Sequence, residues 1–387
     1  MRTSTVQTFK TARRLLTGAH ASHELAGEMH QLGCKCPLIV TDRGVSQAGI
    51  TDTIIAQLQS SGVEHFAVFD AISAEPEMVV VEACRELFVK QGCDGIVAVG
   101  GGSAMDTAKA VAVYAGDERP LAELFGEDQV KPRRFPLICL PTTAGTGSEV
   151  TNISILADNE AQLKKGIVSN ELLPDVAIVA PELTLSCPPS VTAASGVDAL
   201  VHAVESYLSK FATALTEPYS LAAVKKIKAS LVRAYQHPDD MEAREEMATA
   251  SLMAGLAFGN AGVGAVHALA YPLGGRYHLS HGMSNAVMFV PVMRWNQAAC
   301  PERFVDLAKA FGAPADIAAD AAGQWVIEEI SALCEAVKIP AQLRAFDIPE
   351  SALADLAVAA SGVTRLLRNN PRELSVQDIE AIYREAY

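Results

Sequence analysis

The sequence predicts an α/β N-terminal domain built on a mostly parallel sheet, followed by an all-α C-terminal domain. Up to about residue 186, short apolar runs alternate with stretches of helical apolar spacing, which is typical of parallel strands with helices on both faces of their sheet. After Cys187, Pro188 and Pro189 the alternation stops, and Ala- and Leu-rich helical patterns continue to the C-terminus. We therefore predict a first domain over residues 1–186 and a second over residues 187–387.

The apolar runs of the first domain are its predicted strands. In chain order they cover residues 37–41, 65–69, 95–99, 136–140 and 176–179. In open sheets of this type the ligand crevice lies at the carboxyl ends of the strands. The loops that directly follow these runs are therefore where we expect a ligand to bind.

Composition limits the class of ligand. The chain has 387 residues, of which 50% are hydrophobic and 20% charged, so it has room for two domains with a sizeable core. Its formal charge of -14 argues against a nucleic acid or an anionic membrane as a partner, because both require a concentrated basic surface. We expect a small-molecule substrate.

Three features favour a cytoplasmic location. The first residues carry charges at Lys10, Arg13 and Arg14 and lack the apolar run of a signal peptide. The 8 cysteines are scattered without C-x-x-C pairs, which predicts reduced thiols. Residues 247–275 contain no Asp, Glu, Lys or Arg, but Asn260 and several glycines interrupt them, so we predict a buried helix pair and not a membrane span.

A glycine-rich turn follows the predicted strand 95–99 and precedes a helical pattern with Asp106 and Lys109. Glycine lets backbone N–H groups approach phosphate oxygens, and the start of the helix adds partial positive charge, so we predict that a diphosphate binds here. The spacing matches neither G-x-G-x-x-G nor the Walker motif, and a turn that only closes a βα unit is the alternative. The residues of the turn are Gly100, Gly101, Gly102 and Ser103.

Two further loops suit a nucleotide cofactor. Residues 141–151 place hydroxyl groups and glycines behind the strand 136–140 and can wrap a ribose or a nicotinamide; the alternative is a Ser/Thr-rich turn that caps a helix. Asp42 ends the strand 37–41, where a carboxylate would hold the adenosine ribose and repel a 2′-phosphate. It favours NAD over NADP, although Asp also occurs there as a simple turn former.

The second domain contains residues that could form a metal site. Asp198 and His202 lie four residues apart in a helical pattern, which places them on one face about 5.4 Å apart along the axis. His267 ends a long apolar stretch, and the Gly- and Pro-bearing turn after it lets His281, or its rival His278, return to the same point. Carboxylate and imidazole suit Fe(II) or Zn(II) and leave a position for an exchangeable ligand.

Each of these residues taken alone has a simpler interpretation. An Asp/His pair at helical spacing is often an exposed first turn, and a lone histidine is often a core residue. The set favours a metal, because its Ala-, Val- and Gly-rich surroundings would not bury a carboxylate and several imidazoles without a compensating ligand.

In this order along the chain, the motifs resemble the iron-containing (group III) alcohol dehydrogenase family over nearly the whole sequence. The resemblance implies the dehydroquinate synthase-like fold of that family, with a Rossmann-like dinucleotide-binding domain over residues 1–186 and an all-helical metal-binding and catalytic domain over 187–387. The matching segments include VTD at 40–42, GGGSAMDTAK at 100–109, PTTAGTGSEVT at 141–151, GVDALVHAVES at 196–206, AVHALAYPLGG at 265–275 and HLSHG at 278–282.

The resemblance also implies roles for particular residues. His278 then lies near the metal without binding it, and Gly100 to Ser103 meet the pyrophosphate. Lys164 contacts a ribose, and Asn152 and Phe258 line the substrate pocket. The implied metal ligands are Asp198, His202, His267 and His281, and the residues around the nicotinamide half are Thr142, Thr143, Thr146 and Thr151.

One position departs from the family. Many members carry a second histidine four residues after the first, near the nicotinamide, and here Tyr271 stands in its place. The proton route is therefore open between Tyr271, His278, water and the cofactor ribose, and we hypothesise His278 with ordered water. Arg276 could offer a positive charge to an acidic substrate such as a hydroxy acid. The alternative is a surface residue that follows a glycine turn.

The implied activity is a metal-dependent, NAD-linked alcohol dehydrogenase that also works as an aldehyde reductase. An alcohol oxygen occupies the open metal position as alkoxide, and hydride leaves the carbinol carbon for nicotinamide. Alternatives on the same scaffold are a hydroxy-acid dehydrogenase or transhydrogenase, and a maleylacetate-reductase-like or glycerol-dehydrogenase-like enzyme. The family also implies a homodimer or higher homo-oligomer.

Overall fold

Strands and helices divide the chain at the same region as the sequence patterns. The computed structural model describes residues 6–73, 75–158 and 163–387. Within them the last strand ends at Val179, and the long helices begin at Pro189. The boundary between residues 186 and 187 stays a prediction, but it lies between these two elements.

The main sheet has six strands, all parallel, in the order β1-β9-β6-β4-β2-β3. Its central strands are buried on both faces, which is why they appear in the sequence as continuous apolar runs. The outer strand predicted at 65–69 lies two residues later, because its pairing with β2 begins at Ala67. The strands are β1 (Arg14–Thr17), β2 (Pro37–Asp42), β3 (Ala67–Ile72), β4 (Gly95–Gly100), β6 (Leu137–Pro141) and β9 (Val176–Val179).

Helices cover both faces of this sheet, as predicted. Alternate residues of one strand enter opposite cores: Ile96 and Ala98 pack with α4 and α5, whereas Val97 and Val99 pack with α1 and α3. The helices are α1 (Leu25–Gln31), α2 (Arg43–Gln47), α3 (Ile50–Ser60), α4 (Met78–Lys90) and α5 (Gly102–Tyr114).

A second, three-stranded sheet was not predicted. Its strands are β5 (Gly126–Glu127), β7 (Ile153–Asp158) and β8 (Leu163–Val168), of which β7 and β8 are antiparallel and β5 is parallel to β8. These segments are short, and lysines occupy part of β8, so they lack the apolar run of a buried strand. The sheet packs on α5 and supplies one wall of the cavity described below.

The second region is all-helical within the residues described, in agreement with the sequence. Its helices share one core rich in Ala, Val and Leu, and α6, α7 and α8 pack against one another. The helices are α6 (Pro189–Leu208), α7 (Glu217–Gln236), α8 (Met241–Ala261), α9 (Ala265–Tyr277), α10 (His281–Asn296), α11 (Pro301–Ala310), α12 (Ala319–Ala336), α13 (Leu353–Ser361), α14 (Thr364–Leu367) and α15 (Val376–Ala386).

The uncharged stretch 247–275 forms α8 and α9, which meet at an angle of 101°. Among the described residues no single helix has both the length and the apolar composition to cross a membrane; only this bent pair meets those criteria when its two helices are taken together. The break falls at Gly262, whose φ of 76° and ψ of 168° are accessible essentially to glycine alone.

We expect Gly262→Ala to destabilise the protein by about 1–3 kcal/mol, because the left-handed backbone is strained for alanine. A Cβ at this position would also lie 2.5 Å from the Asn369 amide nitrogen. The free energy of unfolding, measured in urea, tests this. Gly27→Ala in α1 is the matched control: a Cβ there meets no atom within 4 Å, so its stability should be unchanged or higher. Equal effects of the two variants would contradict the role of Gly262.

Candidate metal centre and the cavity beside it

Three helices of the second region bring the four predicted ligands together. Asp198 and His202 lie one turn apart on α6, His267 lies in the first turn of α9, and His281 is the first residue of α10. All four ligand atoms lie within 4.8 Å of one another. His278 ends α9 in the left-handed conformation at a φ of 54°, and the short turn after it returns the chain to the cluster.

The distances suit one small divalent ion. The two Nε2 atoms of His202 and His267 are 3.0 Å apart, and Asp198 Oδ1 lies 3.8 Å from His267 Nε2 and 3.7 Å from His281 Nε2. Tetrahedral bonds of about 2.1 Å place neighbouring ligand atoms roughly 3.4 Å apart. The four donors therefore surround a point that fits Fe(II) or Zn(II).

Hydrogen bonds set the tautomers of two rings. His202 Nδ1 donates to the Gly145 carbonyl at 3.3 Å, and His267 Nδ1 donates to Glu205 Oε2 at 2.7 Å. In a neutral ring the proton on Nδ1 leaves Nε2 with a lone pair. Two such lone pairs then face each other at 3.0 Å, an arrangement that requires a cation between them.

Two buried residues that the sequence did not single out support the ligands. Glu205, seven residues after Asp198 on the same helix, also accepts a bond of 2.6 Å from the Val266 backbone. Asn285, one turn after His281, donates its amide to Asp198 Oδ1 at 2.6 Å. Their spacing could have identified both from the sequence, because each lies one or two helical turns after a predicted ligand on the same helix.

Burial keeps the His202 and His281 rings neutral. It lowers the pKa of His202 from 6.5 to about 4 and that of His281 to about 3. Burial alone would raise the pKa of Asp198, but attraction to the three nearby rings in their protonated forms and the hydrogen bond from Asn285 outweigh it, so the net shift is downward. The cluster therefore sets an anionic carboxylate beside the neutral imidazoles of His202 and His281, which is the form that binds a metal, and its buried negative charge calls for a cation.

We expect metal-free protein to lose about 2 kcal/mol of stability from His202 between pH 7 and pH 5. The unfolded ring takes up a proton as the pH falls through its usual pKa of 6.5, whereas the folded ring stays neutral until about 4, so stability falls with the pH. Urea unfolding at a series of pH values measures the slope. His202→Asn should lose about 2 kcal/mol less than the wild type over the same pH interval. Equal losses in the two proteins would contradict the lowered pKa of His202.

The glycine turn adopts the close packing that glycine permits. A Cβ at Gly100 would lie 2.6 Å from the Ala104 side chain, and one at Gly102 would lie 2.8 Å from Thr146 Cγ2. Gly101 lies against Thr143 in the same way, at 3.4 Å. The turn leads into α5, and the partial positive charge at the start of a helix favours an anion.

Asp106 and Lys109 join α5 to the loop 141–151. Asp106 accepts from Ser148 Oγ at 2.7 Å and from the Ile155 backbone at 2.9 Å. The buried Lys109 donates to Ser148 Oγ at 2.7 Å and to Thr151 Oγ1 at 3.0 Å. The side chains predicted to meet the cofactor at Asp106 and Thr151 thus also hold the loop in place.

A cavity of about 530 Å³ lies between the small sheet, the glycine turn and the helices of the metal cluster. Residues of both regions line it, so its shape depends on their contact. Asp198 is buried behind its histidines. The predicted site residues in its wall are Gly102, Ser103, Asp106, Thr146, Thr151, Asn152, Lys164, His202, Phe258, His267, Tyr271 and His281.

Other predicted residues lie outside this wall. Asp42 caps α2 by accepting from the Val45 backbone at 3.0 Å, at the carboxyl end of β2. His278 and Arg276 are exposed at the end of α9, and the structure does not bring them to the cavity. The remaining members of this group are Gly100, Gly101, Thr142 and Thr143.

Aromatic rings flank the metal cluster. Phe258 stacks on His202 with ring centroids 4.1 Å apart, and the Tyr271 ring lies 6.5 Å from that of His281. The sequence reasoning missed the charged side chains in the wall, since no motif marks them. They are Glu75, Glu127, Arg365 and Arg368.

Comparisons with known proteins agree over both regions. Residues 12–181 match the family model of iron-containing alcohol dehydrogenases, and residues 192–387 match the C-terminal model of the Fe-containing alcohol dehydrogenase family. The chain is 40% identical over 376 residues to long-chain-alcohol dehydrogenase 1 of Geobacillus thermodenitrificans (strain NG80-2), covering 96% of this chain and 94% of the relative. It is 38% identical over 367 residues to 1,3-propanediol dehydrogenase of Klebsiella pneumoniae, covering 94% of each.

Solved structures show the same fold. The crystal structure of a 1,3-propanediol oxidoreductase superposes with a TM-score of 0.95 at 36% identity, covering 99% of this chain and 100% of the other. Sulfoacetaldehyde reductase from Bifidobacterium kashiwanohense in complex with NAD+ superposes with a TM-score of 0.90 at 30% identity and covers 99% of both chains. These similarities extend over the sheet, the metal cluster and the cavity between them.

Proposed function

The chain belongs to the iron-containing alcohol dehydrogenase family, and from this premise we propose which residues of a metal-dependent, NAD-linked alcohol dehydrogenase hold the ion, the cofactor and the substrate. The ion is held by Asp198, His202, His267 and His281. The observation that carries this assignment is the pair of Nε2 lone pairs 3.0 Å apart beside a buried carboxylate. When bound, Fe(II) or Zn(II) lowers the pKa of an alcohol hydroxyl or polarises an aldehyde carbonyl, while NAD takes or returns hydride.

The surrounding residues position and shield this chemistry. Glu205 and the Gly145 carbonyl fix the His267 and His202 rings, and Asn285 fixes the Asp198 carboxylate. Phe258 covers one face of His202 and, with Asn152, forms the apolar and polar sides of the substrate pocket. Excluding water in this way strengthens every electrostatic contact inside the pocket.

For the cofactor we propose that the turn from Gly100 to Ser103 binds the diphosphate and that Thr146, Thr151 and Lys164 face the nicotinamide half. The cavity runs from this turn to the metal cluster, which supports that orientation. Thr142 and Thr143, which the family resemblance also assigns to the nicotinamide half, lie in the same loop but do not line the cavity. Lys164 pairs with Glu75 at 2.6 Å and is thereby held beside the pocket.

We expect Asp42→Asn to raise the kcat/KM ratio of NADP to NAD roughly tenfold or more, because the substitution removes the charge that repels a 2′-phosphate. Asparagine keeps the cap on α2, so the fold should be retained. Steady-state kinetics with both cofactors measures the ratio. An unchanged ratio would show that Asp42 acts only as the helix cap.

For the proton we propose the Tyr271 hydroxyl, which lies in the cavity wall where many relatives carry histidine. Burial raises its pKa, although the Arg365 guanidinium opposes the shift, so the hydroxyl stays protonated and relays a proton by donating and accepting. The hypothesis of a route through His278 has no support from its exposed position. In the new assignment His278→Ala keeps the wild-type pH profile, and Tyr271→Phe alters it.

The reaction itself is tested by absorbance of the reduced cofactor. Protein loaded with Fe(II) or Zn(II) should reduce NAD with at least one primary alcohol, lose this activity after chelation, and regain it when the ion is returned. Failure with a panel of alcohols, aldehydes and hydroxy acids would overturn the proposed function. All four ligands are present, which argues against a metal-free, maleylacetate-reductase-like reaction.

A homodimer in the cytoplasm completes the proposal. All 8 cysteines are unpaired thiols, which suits a reducing compartment. The apolar side chains of Phe211 and Leu215 are about half exposed, at 54% and 55%, which suits burial against a second chain. Light scattering in solution determines the mass of the assembly.

A further inference from the structure

Arg365 brings a positive charge into the cavity from an unexpected element. It lies on the four-residue helix α14, far along the chain from the metal ligands, and its half-buried side chain lines the cavity. Its guanidinium lies against the Tyr271 hydroxyl. The guanidinium has five N–H donors, and the single Tyr271 hydroxyl can accept from only some of them.

The other cations in the wall are already paired. Lys164 binds Glu75 at 2.6 Å, and Arg368 binds Glu127 at 3.3 Å. Arg365 forms no ion pair with a carboxylate within residues 6–73, 75–158 and 163–387. Asp106, the remaining carboxylate of the wall, is held by Ser148 and Ile155. Among the described residues, the guanidinium is therefore a cation of this wall that has no carboxylate within ion-pair distance.

The position of Arg365 near the metal cluster points to the substrate. Tyr271, which it contacts, has its ring 6.5 Å from that of His281, at the metal end of the cavity. Arg365 thus faces the space in which the distal end of a metal-directed substrate lies.

We propose that the enzyme acts on alcohols or aldehydes that carry an oxyanion, such as a carboxylate or a sulfonate, at the end remote from the reacting carbon, and that Arg365 binds this group. The planar guanidinium matches an oxyanion with two parallel N–H···O bonds. Because the metal directs the hydroxyl or carbonyl and Arg365 directs the anion, the two hold the substrate at both ends. This inference rests on the proposed function and specifies its substrate class.

The test compares substrates that differ only in charge. With metal-loaded enzyme and NAD, kcat/KM for 4-hydroxybutanoate should exceed that for 4-hydroxybutanamide by about tenfold or more. In Arg365→Met the KM for the acid should rise by a similar factor, and the ratio of kcat/KM between acid and amide should fall to about one, whatever change in rate the two substrates share. Arg365→Lys keeps the charge but loses the planar pair of N–H donors. Its preference for the acid over the amide should lie between those of the wild type and Arg365→Met.

Arg276→Met is the matched control, because this arginine is exposed and outside the cavity; the preference for the acid should be unchanged. A second readout does not require turnover: butyrate should change the fluorescence of enzyme-bound NADH at lower concentration than butyramide, and Arg365→Met should abolish the difference.

Three results would overturn the inference. They are equal kcat/KM for acid and amide in the wild type, loss of the preference in Arg276→Met, and a raised KM for NAD in Arg365→Met with a neutral alcohol, which would assign the guanidinium to the cofactor. Turnover of neutral alcohols without a preference for the acid removes this inference alone. Absence of turnover with every substrate removes the proposed function itself.

Discussion

His267→Ala protein should retain far less than one equivalent of metal after dialysis against Fe(II)- or Zn(II)-containing buffer, and its alcohol oxidation should fall by about 1,000-fold or more. His267 contributes one of the two Nε2 atoms that face each other at 3.0 Å, so its loss opens the ligand set on the side of α9. The remaining Asp198, His202 and His281 offer one ligand fewer than the structural geometry provides. Elemental analysis and NADH absorbance measure the two effects.

Glu205→Gln provides a graded comparison. It keeps all four ligands but removes the carboxylate that accepts from His267 Nδ1 at 2.7 Å, and the weaker acceptor should lower metal affinity or activity by about 10–100-fold. Circular dichroism of each variant confirms that the helices are retained. Stoichiometric metal in His267→Ala, or equal losses in the two variants, would contradict the assignment of His267 as a ligand.

Lys109→Met should lower the free energy of unfolding by about 3–5 kcal/mol, the second large effect. Lys109 is fully buried and donates to Ser148, Thr151 and the Ile153 carbonyl. Methionine fills similar space but leaves these acceptors without a donor and Asp106 without its nearby cation. Urea unfolding followed by circular dichroism gives the loss.

Two further variants separate charge from packing. Lys90→Met, at the exposed end of α4, should change stability by less than about 0.5 kcal/mol. The double variant Asp106→Asn/Lys109→Met should recover part of the loss, because the amide removes the unpaired buried charge and still bonds Ser148 and Ile155. A double variant less stable than Lys109→Met would show that the charge interaction is not the cause.

The four central strands of the main sheet were predictable because their signal is local, whereas the edge strand β1, which is largely exposed, was not among the predicted strands. Strands β2, β4, β6 and β9 are buried on both faces, so each appears as an uninterrupted apolar run bounded by turn residues. The small sheet was not predictable in this way. Its strands β7 and β8 have partly exposed faces, and their pairing is with each other and not with the main sheet.

The residues of the site also divide into those that the sequence predicts and those that depend on tertiary packing. Asp198 and His202 were predictable together because helical spacing places them on one face, and the family resemblance supplied His267 and His281. Arg365 was not predictable, since its place in the cavity depends on how the end of the chain folds over α9. A short helix with an arginine has no signature until its tertiary neighbours are known.

The hydrogen bond from His202 Nδ1 to the Gly145 carbonyl crosses between the two regions of the chain. Gly145 belongs to the loop 141–151, which we propose faces the cofactor, whereas His202 belongs to the proposed ligand set of the ion. A movement of this loop on cofactor binding would therefore change the affinity of the ligand set for its ion. By thermodynamic reciprocity, the ion would then change the affinity for the cofactor by the same factor.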